Sequence, residues 1–347
     1  MVQLRARDYR ITVGELPTGN RNKITDVPGL TVGHCTVDTS EHKTGVTVVL
    51  PCPENPFTHK LPAAAFVLNG FGKSLGLVQV EELGTLETPI ALTNTLNVGL
   101  VHNALVEYMV NRCEAEGFEL RSVNPVVCEC NDGGLNHIQN RAVGKEEVFA
   151  ALSSAAPDFV EGDVGAGKGM VCHGLKGGVG SASRLMEVDG RTYTMGALVL
   201  ANHGSMKDLT IAGNHIGPLL DQAKTAKESD VGSCIVLLAT DLPLCSRQLG
   251  RVAKRASVGL ARLGSFIGQG SGEVFLAFST ANPFNGRDEA ALRTVTAFHE
   301  DKLDLPFRAA AECTEEAVLN CLFTAQTCTG WDGKTVWRLL DLWRPEE

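Results

Sequence analysis

The sequence predicts a single α/β domain over residues 1–347, and three observations carry that expectation. Strand-length runs, several of them apolar without a break, alternate with segments of helical spacing, and no linker of biased composition separates them. Hydrophobic residues make up 44% of the chain against 20% charged, enough to bury a large core. Glycine is abundant, at 37 residues, while aromatics are only 5%; tight turns and close backbone approaches are favoured over an aromatic binding surface.

The elements follow in order. Leu30–Val37 and Gly45–Leu50 read as strands of a hairpin, entered through the Pro28-Gly29 turn signal. Ala63–Leu68 is a short apolar strand that ends at Asn69-Gly70-Phe71-Gly72-Lys73. Gly76–Leu83 and Val98–Cys113 have helical spacing, and Pro89–Leu92 between them reads as a strand. Asn124–Glu129 is strand-like and runs into an Asp-Gly-Gly turn, which sets Glu129 and Asp132 at a strand end. Lys145–Ala155 follows as a short helix. Thr192–Leu200 is a strand leading to Asn202-His203-Gly204-Ser205. The polar 221–230 segment reads as exposed loop, and Cys234–Ala239 as a strand buried on both faces. Ser246–Leu263 has helical spacing with a basic face, Val274–Ser279 is a strand, and Glu312–Gln326 is a helix interrupted by Glu312, Glu315, Glu316 and Asn320. The tail with Trp331, Trp337 and Trp343 is expected to pack on the body or on another subunit.

The glycine-dense 161–184 stretch reads as wall and turn. Its Gly162-x4-Gly167-Lys168 nearly matches a phosphate loop, but Gly169 stands where a magnesium-holding Ser or Thr is required. The 178–183 segment likewise falls short of a dinucleotide fingerprint, so no nucleotide cofactor is expected. A net charge of −9 without a basic block argues against nucleic acid. No apolar run is long enough for a membrane span or a signal peptide. Eleven cysteines, an odd number set in apolar runs, fit reduced thiols and a cytoplasmic protein. Cys128 and Cys130 lack a second ligand pair at finger spacing, and no metal is expected.

Chemistry concentrates at Gly232-Ser233, placed at the start of the Cys234–Ala239 strand. A serine hydroxyl needs a base, and its own α-amine, freed by cutting the Gly232–Ser233 bond, is one. That amine has an ordinary pKa of about 7.7 to 8.0, so part of it is neutral near pH 7. An ordinary glycine-serine turn accounts for the same two residues. Asn202 at a strand end is a candidate oxyanion donor or a turn residue. Ser271 and Glu273, two apart on an extended segment, point the same way and are able to pair. His203 has no G-x-S-x-G partner, which weakens a Ser-His-Asp reading.

In combination the motifs are more specific. Ile24-Thr25-Asp26-Val27-Pro28-Gly29, Val32-Gly33-His34, Asn69-Gly70-Phe71-Gly72-Lys73, Leu92-Thr93-Asn94-Thr95-Leu96, Asn131-Asp132-Gly133, Lys176-Gly177-Gly178, Ala239-Thr240-Asp241 and Gly270-Ser271-Gly272-Glu273 resemble the DmpA-type aminopeptidases. These are the L-aminopeptidase D-Ala-esterase/amidases and β-peptidyl aminopeptidases, and the resemblance runs from about residue 10 to about 330. It implies a four-layer αββα sandwich of the DmpA and ornithine acetyltransferase type. It also implies self-cleavage at Gly232–Ser233 into residues 1–232 and 233–347, with Ser233 as nucleophile, Asn202 on the oxyanion and Ser271 with Glu273 assisting. Glu129, Asn131, Asp132 and Gly134 are then expected to bind substrate, a small peptide, amide or ester, without a cofactor. Gly134 departs from the aromatic residue common at that turn, which bears on substrate preference. A homo-oligomer, a tetramer of cleaved protomers, is the implied assembly. Two rivals stand beside this reading: an acyltransferase of the ornithine acetyltransferase type, whose N-terminal threonine would have to be Thr240, and an uncut, non-catalytic binding protein.

Overall fold

The structure of the chain, a computed structural model, describes residues 3–220, 232–286 and 290–345. Two sheets organise it. The first runs Thr31–Asp38, Lys43–Leu50, Ile90–Asn94, Val126–Cys130, antiparallel through the first three and parallel in the last pair. The second, larger sheet has at its centre the Gly232–Thr240 strand. This strand pairs in parallel with Ser271–Ser279 and antiparallel with Arg191–Asn202. His59–Gly70 extends that sheet on one side and Gly178–Val188 on the other. The expected 221–230 loop lies outside the described residues.

Alternation along the strands explains the layers. Ile235, Leu237 and Ala239 of the central strand join Val32, Val49, Ile90, Leu92 and Cys128 of the first sheet in one buried cluster between the sheets. Their neighbours Cys234, Val236 and Leu238 point the other way, into a cluster with the helices Ser246–Ala253, Ala256–Arg262 and Asp304–Thr324. On the far face of the first sheet, Val46, Val48, Ala91 and Val127 pack on the helices Val98–Ala115 and Lys145–Ser153. Helix, sheet, sheet, helix is the αββα sandwich that the motifs implied. A central strand buried on both faces must be apolar at every position, and Cys234–Ala239 is.

Three expectations need correction. The 161–184 stretch is not wall and turn throughout, because Gly178–Val188 is a strand of eleven residues. Its glycines disguise it: a Cβ on Gly180 would stand 1.9 Å from the Ala317 carbonyl oxygen, so this strand passes too close to the Asp304–Thr324 helix for a side chain. Ser246–Leu263 is two helices with a break near Lys254, not one. The helix expected at Glu312–Gln326 runs Asp304–Thr324, starting eight residues earlier than its apolar pattern indicated, and its polar interruptions are internal contacts. Arg184, fully buried, donates from Nε to Glu312 at 3.0 Å and from Nη2 to Glu316 at 2.6 Å. Glu315 pairs with Arg262 at 3.1 Å, and Asn320 donates to the Ser181 carbonyl at 2.8 Å. Periodicity had no means of showing charges neutralised by a neighbouring strand or helix.

Candidate active site

Sheet register assembles the site. Ser233 and Asn202 are directly opposed on adjacent antiparallel strands, so their side chains share a face and lie side by side. That face is the inter-sheet one, to which Ile235 and Leu200 also belong. Both residues sit at the strand ends, at the mouth of the gap between the sheets; Ser233 is 6% exposed and Asn202 3%. The Asn202 amide is held at both ends. Its Oδ1 accepts the Val171 N–H at 2.8 Å, and its Nδ2 donates to the Asn131 carbonyl at 3.0 Å. An amide nitrogen carries two hydrogens, which leaves one for an incoming oxygen beside Ser233.

Gly232 meets the strand in a conformation that other residues avoid, with φ +127, and a Cβ there would stand 1.9 Å from the Asn202 carbonyl oxygen. On its other side the central strand faces Ser271–Ser279, with Gly232 opposite Ser271, Ser233 opposite Gly272 and Cys234 opposite Glu273. Ser271 donates a short hydrogen bond to Glu273, and both are fully buried. The alternation that turns Phe275 and Ala277 toward the helices places this pair on the face opposite the Ser233 side chain. From there the pair adjoins the backbone at Gly232–Ser233 and not the hydroxyl. Gly272 keeps the hydroxyl clear: a Cβ would lie 3.0 Å from Ser233 Oγ and 2.5 Å from the Phe71 carbonyl oxygen.

The substrate-binding candidates divide. Glu129, 3% exposed at the end of its strand, accepts the Lys73 N–H at 3.0 Å and a short hydrogen bond from the Thr95 hydroxyl. Through Phe71-Gly72-Lys73 it is one short segment away from Ser233. Asp132 points inward instead. It is fully buried, accepts from Asn136 Nδ2 at 3.0 Å, and burial pushes its carboxyl up to about 6 against hydrogen bonds from Thr44, Asn136 and Asn94. The turn is built on this side chain. Asn131 contributes its carbonyl to Asn202, and its side chain caps Gly133 at 3.0 Å. Around Gly134 no atom lies within 4 Å of where a Cβ would be, so the turn is open there. A cavity of about 40 Å³ occupies this corner, lined by Asn131, Gly134, Val171, Asn202, Lys334 and Val336 among others. A separate cleft of about 310 Å³ between Leu83, Pro243 and Phe298 contains none of these groups.

Residue-by-residue inspection of the sequence missed three supporting groups. Cys130 donates its thiol to the Ser233 carbonyl at 3.4 Å, and burial raises its pKa well above the usual thiol range, which keeps the donor proton in place. Asn69 fastens the loop before Ser271, donating to the Gly268 and Ser271 carbonyls at 2.9 and 2.6 Å. Lys176, fully buried, donates to the Gly167, Met170 and Gly177 carbonyls and so fixes the loop carrying Val171. Asn69 and Lys176 lie within motifs, but nothing in their spacing signals these contacts. Lys168 of the near phosphate loop is paired with Asp38 at 2.8 Å and Asp163 at 3.0 Å. Among the described residues, one group has metal-ligating proximity, the buried Cys172, His173 and His203, whose ligand atoms lie within 4.8 Å of one another; His173 Nδ1 meets the Ser205 carbonyl at 3.0 Å.

Comparison with known proteins gives this geometry its context. The family described as Peptidase family S58 matches residues 22–336. The chain is 39% identical to the "Beta-peptidyl aminopeptidase BapA" of Sphingosinicella microcystinivorans, over 96% of this chain and 89% of that one. Among solved structures, a Burkholderia sp. beta-aminopeptidase superposes with a TM-score of 0.91 at 40% identity, covering 99% of this chain and 100% of its own. The L-aminopeptidase D-Ala-esterase/amidase from Ochrobactrum anthropi, described as a variant of the Ntn hydrolase fold, gives a TM-score of 0.90 at 38% identity, covering 96% and 95%.

Proposed function

The chain belongs to peptidase family S58 and is an aminopeptidase of the N-terminal serine type, and from that premise we propose that Ser233 is its nucleophile. The observation that carries the assignment is the register of the central strand, which sets Ser233 beside the half-used Asn202 amide and puts the Ser271–Glu273 pair against the Gly232–Ser233 backbone. In self-cleavage the Ser233 hydroxyl attacks the Gly232 carbonyl, the peptide bond is exchanged for an ester, and water releases residues 1–232. The freed α-amine then takes the hydroxyl proton as Oγ attacks a substrate carbonyl. Asn202 holds the oxyanion, the leaving amine collects the proton, and water resolves the acyl ester.

The two pieces stay together because their strands interleave. In the larger sheet, 59–70 and 191–202 from the first piece flank 271–279 and 232–240 from the second. Glu129 is the counter-charge for the substrate's free amine. Short peptides, amides and esters, with β-amino acids among the acyl residues, are the substrates this reading favours. Apolar side chains left exposed, Val67, Phe71 and Phe266 among them, support assembly of cut protomers into an oligomer. Eleven free thiols fit a reducing cytoplasm.

The test is intact mass with sequencing of every N-terminus. Pieces of 232 and 115 residues (347 − 232 = 115), the smaller beginning Ser233-Cys234-Ile235, are expected from the wild type. Ser233→Ala should give one uncut chain and no turnover; an alanine variant that hydrolyses aminoacyl anilides at the wild-type rate removes Ser233 from the mechanism.

A further inference from the structure

We propose that Lys334 receives the free carboxylate of the substrate's leaving residue, so that the preferred substrates are dipeptide-like molecules carrying both a free amine and a free carboxylate. The proposal rests on the assignment of Ser233 and Asn202 above. Its basis is the C-terminal hairpin, in which Cys328–Thr329 pairs with Thr335–Val336. This hairpin is fastened to the turn that follows Glu129. Trp331 stacks on His137 with ring centroids 4.5 Å apart and planes at 13°, its N–H donates to the Leu135 carbonyl at 3.1 Å, and Cys328 and Val336 bury Leu135 between them. Fastened in this way, the hairpin brings Lys334 to the wall of the cavity that Asn202 and Asn131 also line.

Three features of that cavity select a carboxylate. Its 40 Å³ is room for two or three waters, which suits a small anionic group and excludes a large side chain. Gly134 leaves it open at the turn, with nothing within 4 Å of a would-be Cβ. Lys334, an exposed residue on the cavity wall, makes no ion pair with any described residue, whereas the nearby Lys43 and Lys168 are both engaged by Asp38. Position matches chemistry. In a dipeptide one carbon separates the scissile nitrogen from the carboxylate, so a carbonyl oxygen held by Asn202 puts the carboxylate in the space bordering Asn202. Glu129, reached through the 71–73 segment on the other side of Ser233, then faces the amine. On this proposal the amine meets Glu129 and the carboxylate meets Lys334, the complementarity that a zwitterionic dipeptide requires.

The experiment compares a free-acid dipeptide with its C-terminal amide, reading the ratio of their kcat/KM values in mass-verified, cleaved protein. Wild type should favour the acid, with the preference lost mostly through KM. Lys334→Met should lower the ratio about tenfold, Lys334→Glu further, and Lys334→Arg should keep it. The wild-type ratio should also fall as salt rises to about 0.5 M, a readout that needs no variant. A ratio that neither salt nor the Met and Glu variants move overturns the proposal. A wild type that cleaves neither dipeptide, nor an aminoacyl anilide, removes the Ser233 assignment instead, and this proposal with it.

Discussion

Removing the Asn202 amide touches two roles at once. Asn202→Ala deletes the donor aimed beside Ser233, and loss of one preorganised oxyanion donor typically costs about 100- to 1,000-fold in kcat, or roughly 2.7–4 kcal/mol of barrier. It also orphans the Val171 N–H and the Asn131 carbonyl, which Asn202 satisfies at 2.8 and 3.0 Å. Two buried partners left unmet cost on the order of 1–3 kcal/mol each, so a fall in stability accompanies the fall in rate. Asn202→Asp separates the two effects in part, since it still orphans the Asn131 carbonyl. It keeps the acceptor for Val171 while deleting the donor, and should lose kcat as fully as alanine. The assay is steady-state hydrolysis of an aminoacyl anilide, with residues 1–232 and 233–347 co-expressed so that self-cleavage is not required. KM should change little, because the interaction is made mainly with the developing oxyanion. Folded Asn202→Ala protein with kcat within about threefold of wild type would refute the oxyanion role.

Two further outcomes follow from the same geometry. Glu129→Gln keeps the size of the side chain but removes the charge proposed to meet the substrate amine; kcat/KM should fall about tenfold or more, chiefly through KM, and a KM unchanged for amine-bearing substrates would show that recognition lies elsewhere. Asp132 is raised to about 6 by burial from an ordinary value near 3.9, so between those values the folded state holds a proton that the unfolded chain has released. Its contribution to stability is therefore present at low pH and is lost as pH rises through about 6. Asp132→Asn should flatten the decline in denaturant midpoint between about pH 4 and 7; an unaltered slope would assign that titration to another group.

The residues proposed for the site can be named from the sequence, but glycine beside serine at the head of an apolar strand is equally an ordinary turn, and only the family motifs in combination give Ser233, Asn202, Ser271 and Glu273 their expected roles. Composition and alternation also determined the α/β class, since a strand buried on both faces has no position for a polar residue between Cys234 and Ala239. The family motifs added the αββα layering. What the tertiary structure alone decided is which groups meet. Asp132 and Glu129 are three residues apart and equally acidic in the sequence, yet one closes a buried turn on Asn136 and the other holds the Lys73 N–H and the Thr95 hydroxyl. Gly178–Val188 reads as glycine-rich turn until the Asp304–Thr324 helix supplies the reason for its missing side chains. Lys334 lies 132 residues beyond Asn202 (334 − 202 = 132) and reaches the same cavity only because Trp331 finds His137. Local sequence specifies propensity and chemistry, whereas proximity between distant segments arises when strands choose partners and a tail finds the surface that buries it.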